Sequence, residues 1–385
     1  MAPPKKQKDF RTRQTSSQQG GTGSAPASQQ RSDQEAASLP LELQQLLLDV
    51  FQRAFPFDHN ELDLKATIQK VKGHLFQREF ALAFAKQEYL DAYALRWSAS
   101  RALGYTSIFS HHDLQQVWSK FDKSAGSAPT SMPASPDSSL QGEPPSHASA
   151  CRVVCIGGGG GAEVAACAAA ARTFRPFSTK LSVHVVDIAD WSTCVRKLET
   201  ALKTPPELSI HASQSAKAAN KAFVAGDSFD VRFSQHDIFA VTEAELVGLM
   251  QDARLCTIMF TLNELFSASI SRATALLLAL TEAIRPGSWL LVVDSPGSYS
   301  EVELGKGDDA KTKQYPMKWL LDHALLEVVG KGENSKWKKM VSDDSRWFRL
   351  PQKSALRYPI ELENMRYQIH LYQRVEPTGS SVRRS

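Results

Sequence analysis

From Leu39 onward the apolar residues fall at three- and four-residue steps: Leu43, Leu46, Leu47, Val50, Phe51 and Ala54 share one side of a helical wheel. That spacing predicts an amphipathic helix, which Pro56 stops. Helical periodicity resumes at about Glu61 and runs to Leu103, with Phe76, Phe80 and Phe84, then Tyr89, Tyr93 and Trp97, each at i+4 steps. Aromatic rows of this kind pack a core or stack on bases, and core packing is the commoner use. A further helix, about His112 to Phe121, closes an all-helical unit over 39–122.

After residue 150 the period changes. The runs "RVVCIGG", "LSVHVVD", "VRFSQHDI", "LCTIMFTL" and "GSWLLVVDS" are short and rich in β-branched residues, and helices beginning at about Ala162, Trp191, Glu243 and Ser267 separate them. Alternation of strand and helix predicts an α/β, Rossmann-like domain over 151–375 with a doubly wound, mostly parallel sheet. Then "RWFRLP" and "MRYQIHLYQR" follow without a helix between them. They predict an antiparallel pair at the edge of that sheet.

Three stretches lack periodicity. Residues 1–38 are rich in Gln, Ser, Gly and Ala, 123–150 in Ser, Pro and Ala, and 376–385 end in "VRRS"; too few large apolar residues are present to offset the entropy of ordering, so a disordered head, a flexible linker and a disordered tail are expected. The chain of 385 residues, 42% hydrophobic and 22% charged, otherwise has room for two folded units. Its net charge of +4 is unevenly placed: the first 40 residues hold six Lys or Arg against three Asp or Glu. A basic head of this kind suits nuclear import or loose RNA contact, and equally a solvated tail. No signal peptide is visible, and "ATALLLAL" is too short to span a bilayer. Five cysteines without a CxxC pair or a His partner at zinc spacing read as free thiols, with no metal site.

The chemistry is expected at "IGGGGGAEV". Gly157 to Gly161 stand at the carboxyl end of the first strand and the start of a helix, where such a sheet binds its nucleotide. Glycine there permits positive φ and close approach to backbone N–H groups. Gly157, Gly158, Gly159 and Gly161 are therefore candidate cofactor-binding residues. Asp187, 26 residues beyond Gly161 at the end of the second strand, is placed to accept from ribose hydroxyls, with Ile188 beside it. At the end of the third strand Asp237 is placed to accept from an adenine amino group, with Ile238 or Phe239 against the ring, or else to cap the next turn.

An adenosine site serves nicotinamide cofactors and S-adenosyl-L-methionine alike. Three features favour the second: Glu163 near the loop, where a cationic amino-acid moiety lies; polar residues in "TLNELF" at the fourth strand end; and the antiparallel finish. There is no Walker-type GK[ST]. Asn263, Glu264 and Asp294, at the ends of the fourth and fifth strands, are the candidate catalytic residues, with helix capping and turn formation as their structural alternatives. Tyr299, Trp319 and Trp347 are placed to stack on a base or to pack the core. Between Gly330 and Arg374, ten Lys or Arg against five Asp or Glu, interleaved with aromatics, make a candidate RNA face.

The segments "VVCIGGGGGAE", "VVDIADW", "MFTLNELFS", "LLVVDSPGSYSEV", "YPMKWLLDHALL", "DSRWFRLP" and "LRYPIELENMRYQIHLYQR" together resemble the fungal 25S rRNA uridine-N(3) methyltransferase family. The resemblance runs from about Leu41 to Arg374. It implies a class I methyltransferase fold, S-adenosyl-L-methionine as cofactor, large-subunit rRNA or a pre-ribosomal particle as partner, and work in the nucleus and nucleolus, without identifying the catalytic residue. Two other readings fit parts of the pattern: a non-catalytic, methyltransferase-like assembly factor that binds pre-rRNA, and an NAD(P)-dependent oxidoreductase.

Overall fold

The computed structural model describes residues 39–56, 61–124, 151–173, 180–297, 299–304, 311–352 and 355–377. The expected head over 1–38, the linker from residue 125 to 150 and the tail from residue 378 lie outside them. Lys123 and Ser124, read as the start of the linker, belong to the last turn of a helix.

The N-terminal helices are α1 (Leu41–Ala54), α2 (Glu61–Phe76), the single turn α3 (Phe80–Ala83), α4 (Gln87–Tyr93), α5 (Ala99–Ser110) and α6 (His112–Ser124), with a π-helical turn over Ala94–Ser98 joining α4 to α5. The long periodic stretch from Glu61 to Leu103 is therefore broken. Arg78, at φ 60°, reverses the chain between α2 and α3, so the aromatic row does not share one face: Phe76 is 89% exposed, whereas Tyr89 is buried.

The α/β part follows as β1 (Cys151–Ile156), α7 (Ala162–Thr173), β2 (Leu181–Asp187), α8 (Ser192–Lys203), α9 (Gln214–Ala219), β3 (Phe229–Gln235), α10 (Glu243–Met250), β4 (Ala253–Met259), α11 (Leu262–Ala268), α12 (Ile270–Ala283) and β5 (Trp289–Asp294). A hairpin of β6 (Tyr299–Leu304) and β7 (Lys311–Pro316) leads to α13 (Met317–Asp322), a π-helical turn and the closing strands β8 (Trp337–Phe348) and β9 (Met365–Arg374). The seven strands of the main sheet run in the order β3-β2-β1-β4-β5-β9-β8. The first five are parallel, while β9 is antiparallel to β5 and β8 to β9. The expected antiparallel pair is present, with β8 at the edge and beginning nine residues before "RWFRLP". The hairpin was not foreseen, because "DSPGSYS" reads as turn chemistry alone.

Alternation along the strands sorts the core. Val153, Cys155, Leu255, Met259, Leu291 and Val293 point to one face, and Val154, Ile156, Cys256, Ile258, Leu290 and Val292 to the other, the period-2 consequence of the pleat. The second face is covered by α10, α11, α12 and α13. On the first, α7 and α8 lie against the sheet, and α1 and α5 form a further layer over them, all within one apolar cluster.

That outer layer is possible because α7 is almost all small residues: Ala165, Ala166, Ala168, Ala169 and Ala170 are each fully buried. A helix enclosed on every side needs no polar face. Polar ties reinforce the layer. Arg53 of α1 donates to the carbonyls of Ala201 (2.8 Å) and Thr204 (2.9 Å) at the end of α8, where unpaired carbonyls favour a cation. Gln45 exchanges two hydrogen bonds with the Arg357 backbone (2.9 and 2.8 Å), and Arg346 of β8 pairs with Asp113 of α6 at 2.8 Å. Ala166→Leu is accordingly expected to overpack this junction and lower unfolding free energy by about 1–3 kcal/mol. Urea titration would show it as a lower midpoint of one transition; an unchanged midpoint would mean that the space between helices is not filled as described.

Candidate active site

The glycine loop lies flush under protein atoms. Gly157 (φ 77°) donates to the Val186 carbonyl at 2.8 Å, and a Cβ there would stand 2.2 Å from the Thr261 hydroxyl oxygen. At Gly159 the same atom would meet the Trp191 ring at 2.0 Å, at Gly160 the Ser98 hydroxyl at 2.7 Å, and at Gly161 (φ 81°) a Leu198 methyl at 2.7 Å. Glycine is thus required by the packing of α8, of the segment after β4 and of the turn before α5, in addition to any ligand.

Above the carboxyl ends of β1 to β4 a cavity of about 920 Å³ opens, walled on its other side by the N-terminal helices. Eight of the candidate site residues named from the sequence line it: Gly157, Glu163, Asp187, Ile188, Asp237, Ile238, Phe239 and Glu264. Gly158, Gly159 and Gly161 shape the loop without lining the cavity. Asp187 accepts from the Gly159 N–H at 2.9 Å and the Ala189 N–H at 3.1 Å, which fixes its carboxylate at the tip of β2. Burial raises its pKa, and those N–H donors oppose the rise. Beside it Ile188 is 64% exposed, an apolar side chain open to the cavity. Asp237 accepts from the Phe239 N–H (2.9 Å) and lies 3.9 Å from Arg272.

Asn263 and Asp294 do not line the cavity. The Asp294 carboxylate is 2% exposed and accepts from the backbone N–H groups of Asn263 (2.9 Å) and Ser295 (2.7 Å). It braces the first turn of α11 against the end of β5, and burial lifts its pKa to about 6. Glu264 does reach the cavity, where it pairs with Arg78 at 3.4 Å. Trp319 lies between Tyr315 and His323, stacked at 4.7 and 5.0 Å, and Trp347 has Arg349 over its ring at 4.5 Å. Nothing is described of the Tyr299 side chain. Four of the cations after Gly330 are held by carboxylates: Lys331 pairs with Glu327, Lys336 with Glu282, Lys339 with Asp322 and Arg346 with Asp113 and Asp343. Arg374 is buried and bonds backbone carbonyls.

Sequence reading weighed the aromatic row of the helical layer between core packing and base stacking and did not place it on this cavity. Phe84, Tyr93 and Trp191 meet edge to face or tilted at 5.1–5.5 Å, with Trp97 at 5.2 Å from Tyr93. The i+4 aromatic row was the available signal, and it splits between core (Tyr89) and cavity wall (Tyr93, Trp97). Arg101 and Tyr105 of α5 and Phe260 after β4 complete the wall; a lone Arg inside a helical pattern gives no such signal.

A doubly wound sheet with this strand order, an antiparallel strand inserted beside β5 and a cavity over the glycine loop define a class I methyltransferase. The family described as "Putative SAM-dependent methyltransferase" matches residues 51–373, and the chain belongs to it. A 25S rRNA (uridine(2843)-N(3))-methyltransferase of Saccharomyces cerevisiae is 31% identical over 335 residues, covering 82% of this chain and 79% of that protein. Among solved structures, a SAM-dependent methyltransferase from Methanosarcina mazei (10% identity, 59% of this chain, 94% of that one) and the antibiotic-resistance methyltransferase Kmr (16%, 59% and 88%) each align with a TM-score of 0.32. The fold assignment rests on strand order, not on these alignments.

The cavity fits S-adenosylmethionine on its own chemistry. Asp187 offers a fixed acceptor at the tip of β2, of the kind that adjacent hydroxyls need, Ile188 and Ile238 add apolar surface to the same cavity, and Glu163 is a carboxyl buried to 3% exposure with Oε1 lacking a hydrogen-bond partner. Burial is the main reason that the Glu163 pKa rises to about 8, with the Arg101 charge opposing it. Because this folded value exceeds the unfolded one of about 4.3, the ligand-free protein holds the proton more tightly than the unfolded chain. The group's stabilisation is present at low pH and is lost as pH rises from about 4 to about 8. His184 and His370, drawn down to about 4 chiefly by burial, act oppositely over part of that range, so the informative quantity is a difference. The unfolding free energy of Glu163→Gln relative to wild type is expected to increase between about pH 5 and about pH 8 in chemical denaturation. A pH-independent difference would mean that Glu163 titrates as an ordinary carboxyl.

Proposed function

We propose that the protein methylates N(3) of a uridine in large-subunit ribosomal RNA, in the nucleolar context of ribosome assembly. The observation that carries this reading is the likeness to the yeast enzyme, which extends over 82% of the chain. The cavity supports it by continuing past the adenosine end to Phe80, Glu264, Leu265 and Ala268, leaving room for a base that has left its helix; N(3) is otherwise enclosed in a Watson–Crick pair.

When bound, the cofactor supplies an electrophilic methyl group on a sulfonium, so the protein's work is alignment and removal of the N(3) proton rather than covalent catalysis. Glu264 is the carboxylate available at that end of the cavity. At 39% side-chain exposure it also has an outlet to solvent. Its neighbour Arg78, 3.4 Å away, holds the carboxylate in place and offers a donor toward charge developing on a uracil oxygen. Asn263 and Asp294 act one step back, by fixing the first turn of α11 on which Glu264 stands. For RNA outside the cavity, the exposed Trp347 with Arg349 and Arg366 at 4.5 and 5.6 Å from its ring centre is the best supported contact.

The test is methylation of large-subunit rRNA from cells lacking the modification, read by mass spectrometry of its nucleosides. Three-methyluridine appearing with wild-type protein, and a single-turnover rate reduced at least about tenfold in Glu264→Gln at unchanged cofactor affinity, is the expected result. Methylation of another base would overturn the substrate reading, and an unaltered rate in Glu264→Gln would remove that residue from the proton's path.

A further inference from the structure

The amino-acid end of the methyl donor carries two opposite charges, and the cavity presents one uncommitted partner for each. The first is Glu163, whose buried Oε1 has no partner. The second is Arg101. Its Nη1 donates to the Tyr93 hydroxyl at 2.8 Å and its guanidinium lies 4.9 Å from the centre of the Phe260 ring. Among the described residues no carboxylate stands within 4.0 Å of it, although fourteen other Lys or Arg side chains do have such partners. Burial works against its charge, yet Tyr93, Tyr105 and Glu163 together hold it more firmly protonated than a free arginine. A guanidinium and a carboxyl that face the same cavity and feel one another's charge without touching leave a gap for a ligand bearing both signs.

Position supports the pairing. The turn before α5 presses on the glycine loop, since a Cβ at Gly160 would meet Ser98 at 2.7 Å and Tyr93 at 3.0 Å. Arg101 follows Ser98 by three residues, on the same side of the helix, and so stands beside the loop from which α7 and Glu163 depart. Four guanidinium N–H groups remain after the bond to Tyr93, enough for a two-point grip on a carboxylate.

We propose that Arg101 and Glu163 clamp the methyl donor by its amino-acid end, the guanidinium on the carboxylate and the Glu163 carboxylate on the ammonium. The N-terminal helices then supply a cofactor-binding group, and the site is incomplete in the sheet domain alone. This deepens the reading of the cavity as the S-adenosylmethionine site and rests on it.

Two ligands separate the clamp from the rest of the site: S-adenosylhomocysteine, which has the amino-acid end, and 5′-methylthioadenosine, which shares the adenosine and thioether but lacks that end. Calorimetric titration of the full chain is expected to show Arg101→Gln weakening S-adenosylhomocysteine at least about tenfold, the scale of one lost charge-assisted contact, with 5′-methylthioadenosine held within about twofold of wild type. Arg101→Lys, which keeps the charge and loses the fork, is expected to fall between. Equal weakening of both ligands would mean that Arg101 shapes the cavity instead, and unchanged S-adenosylhomocysteine affinity in both variants would sink the clamp while leaving the cofactor site intact. If wild-type protein bound neither ligand, the cofactor reading itself would fall, and the clamp with it.

Discussion

Everything in this molecule is arranged around a loop that tolerates no side chains. From Gly157 to Gly161 the backbone is covered by Thr261, Trp191, Ser98 with Tyr93, and Leu198, each close enough that a Cβ would collide. These residues come from different places: the segment after β4, the start of α8, the helix itself and the N-terminal layer. One short stretch therefore fixes how four parts of the chain meet, and the walls of the cavity follow from where those parts are held. Loop and helical layer depend on one another, since neither has its observed surroundings without the other.

The alanine-rich α7 extends the same constraint into the core. Glycine lets the loop pass beneath other groups, and alanine lets α5 settle on the helix that follows. Close backbone approach is what brings Arg101, Tyr93 and Tyr105 over the cavity, so residues far from the glycines in sequence become part of the binding wall. A bulkier α7 would preserve the sheet and lose that wall.

How much of this was legible beforehand differs by element. The doubly wound, mostly parallel sheet and its antiparallel finish were, because β-branched runs and the missing helix before "MRYQIHLYQR" are local signals. The placing of Asp187 and Glu163 on one cavity wall was, because their spacing from the glycines is set by covalent chain and fold together. The β6–β7 hairpin was not, since its strands are short and polar. Arg101 was hidden for a different reason: its role depends on α5 crossing α7, a long-range packing event that leaves no period in the sequence. Trp319, Trp347 and the basic segment after Gly330 are divided in a way composition does not show: Trp319 stacks with Tyr315 and His323, Lys331, Lys336, Lys339 and Arg346 pair with carboxylates, and Trp347 stays exposed with Arg349 and Arg366 beside it.

The buried acids connect the site's electrostatics to its use. Glu163, Asp187 and Asp294 all have raised pKa values, and burial is the first cause in each case. Asp187 and Asp294 already receive backbone N–H groups that lessen the cost of their charge, whereas Glu163 has an oxygen left over. A cationic ligand group placed against that oxygen relieves a penalty that the ligand-free fold carries, and its binding energy appears as added stability of the folded state. The carboxyl that weakens the empty protein is thus the one positioned to gain most from the donor. Stability conceded at a site of this kind is expected wherever charge must be presented to a ligand inside a low-dielectric wall.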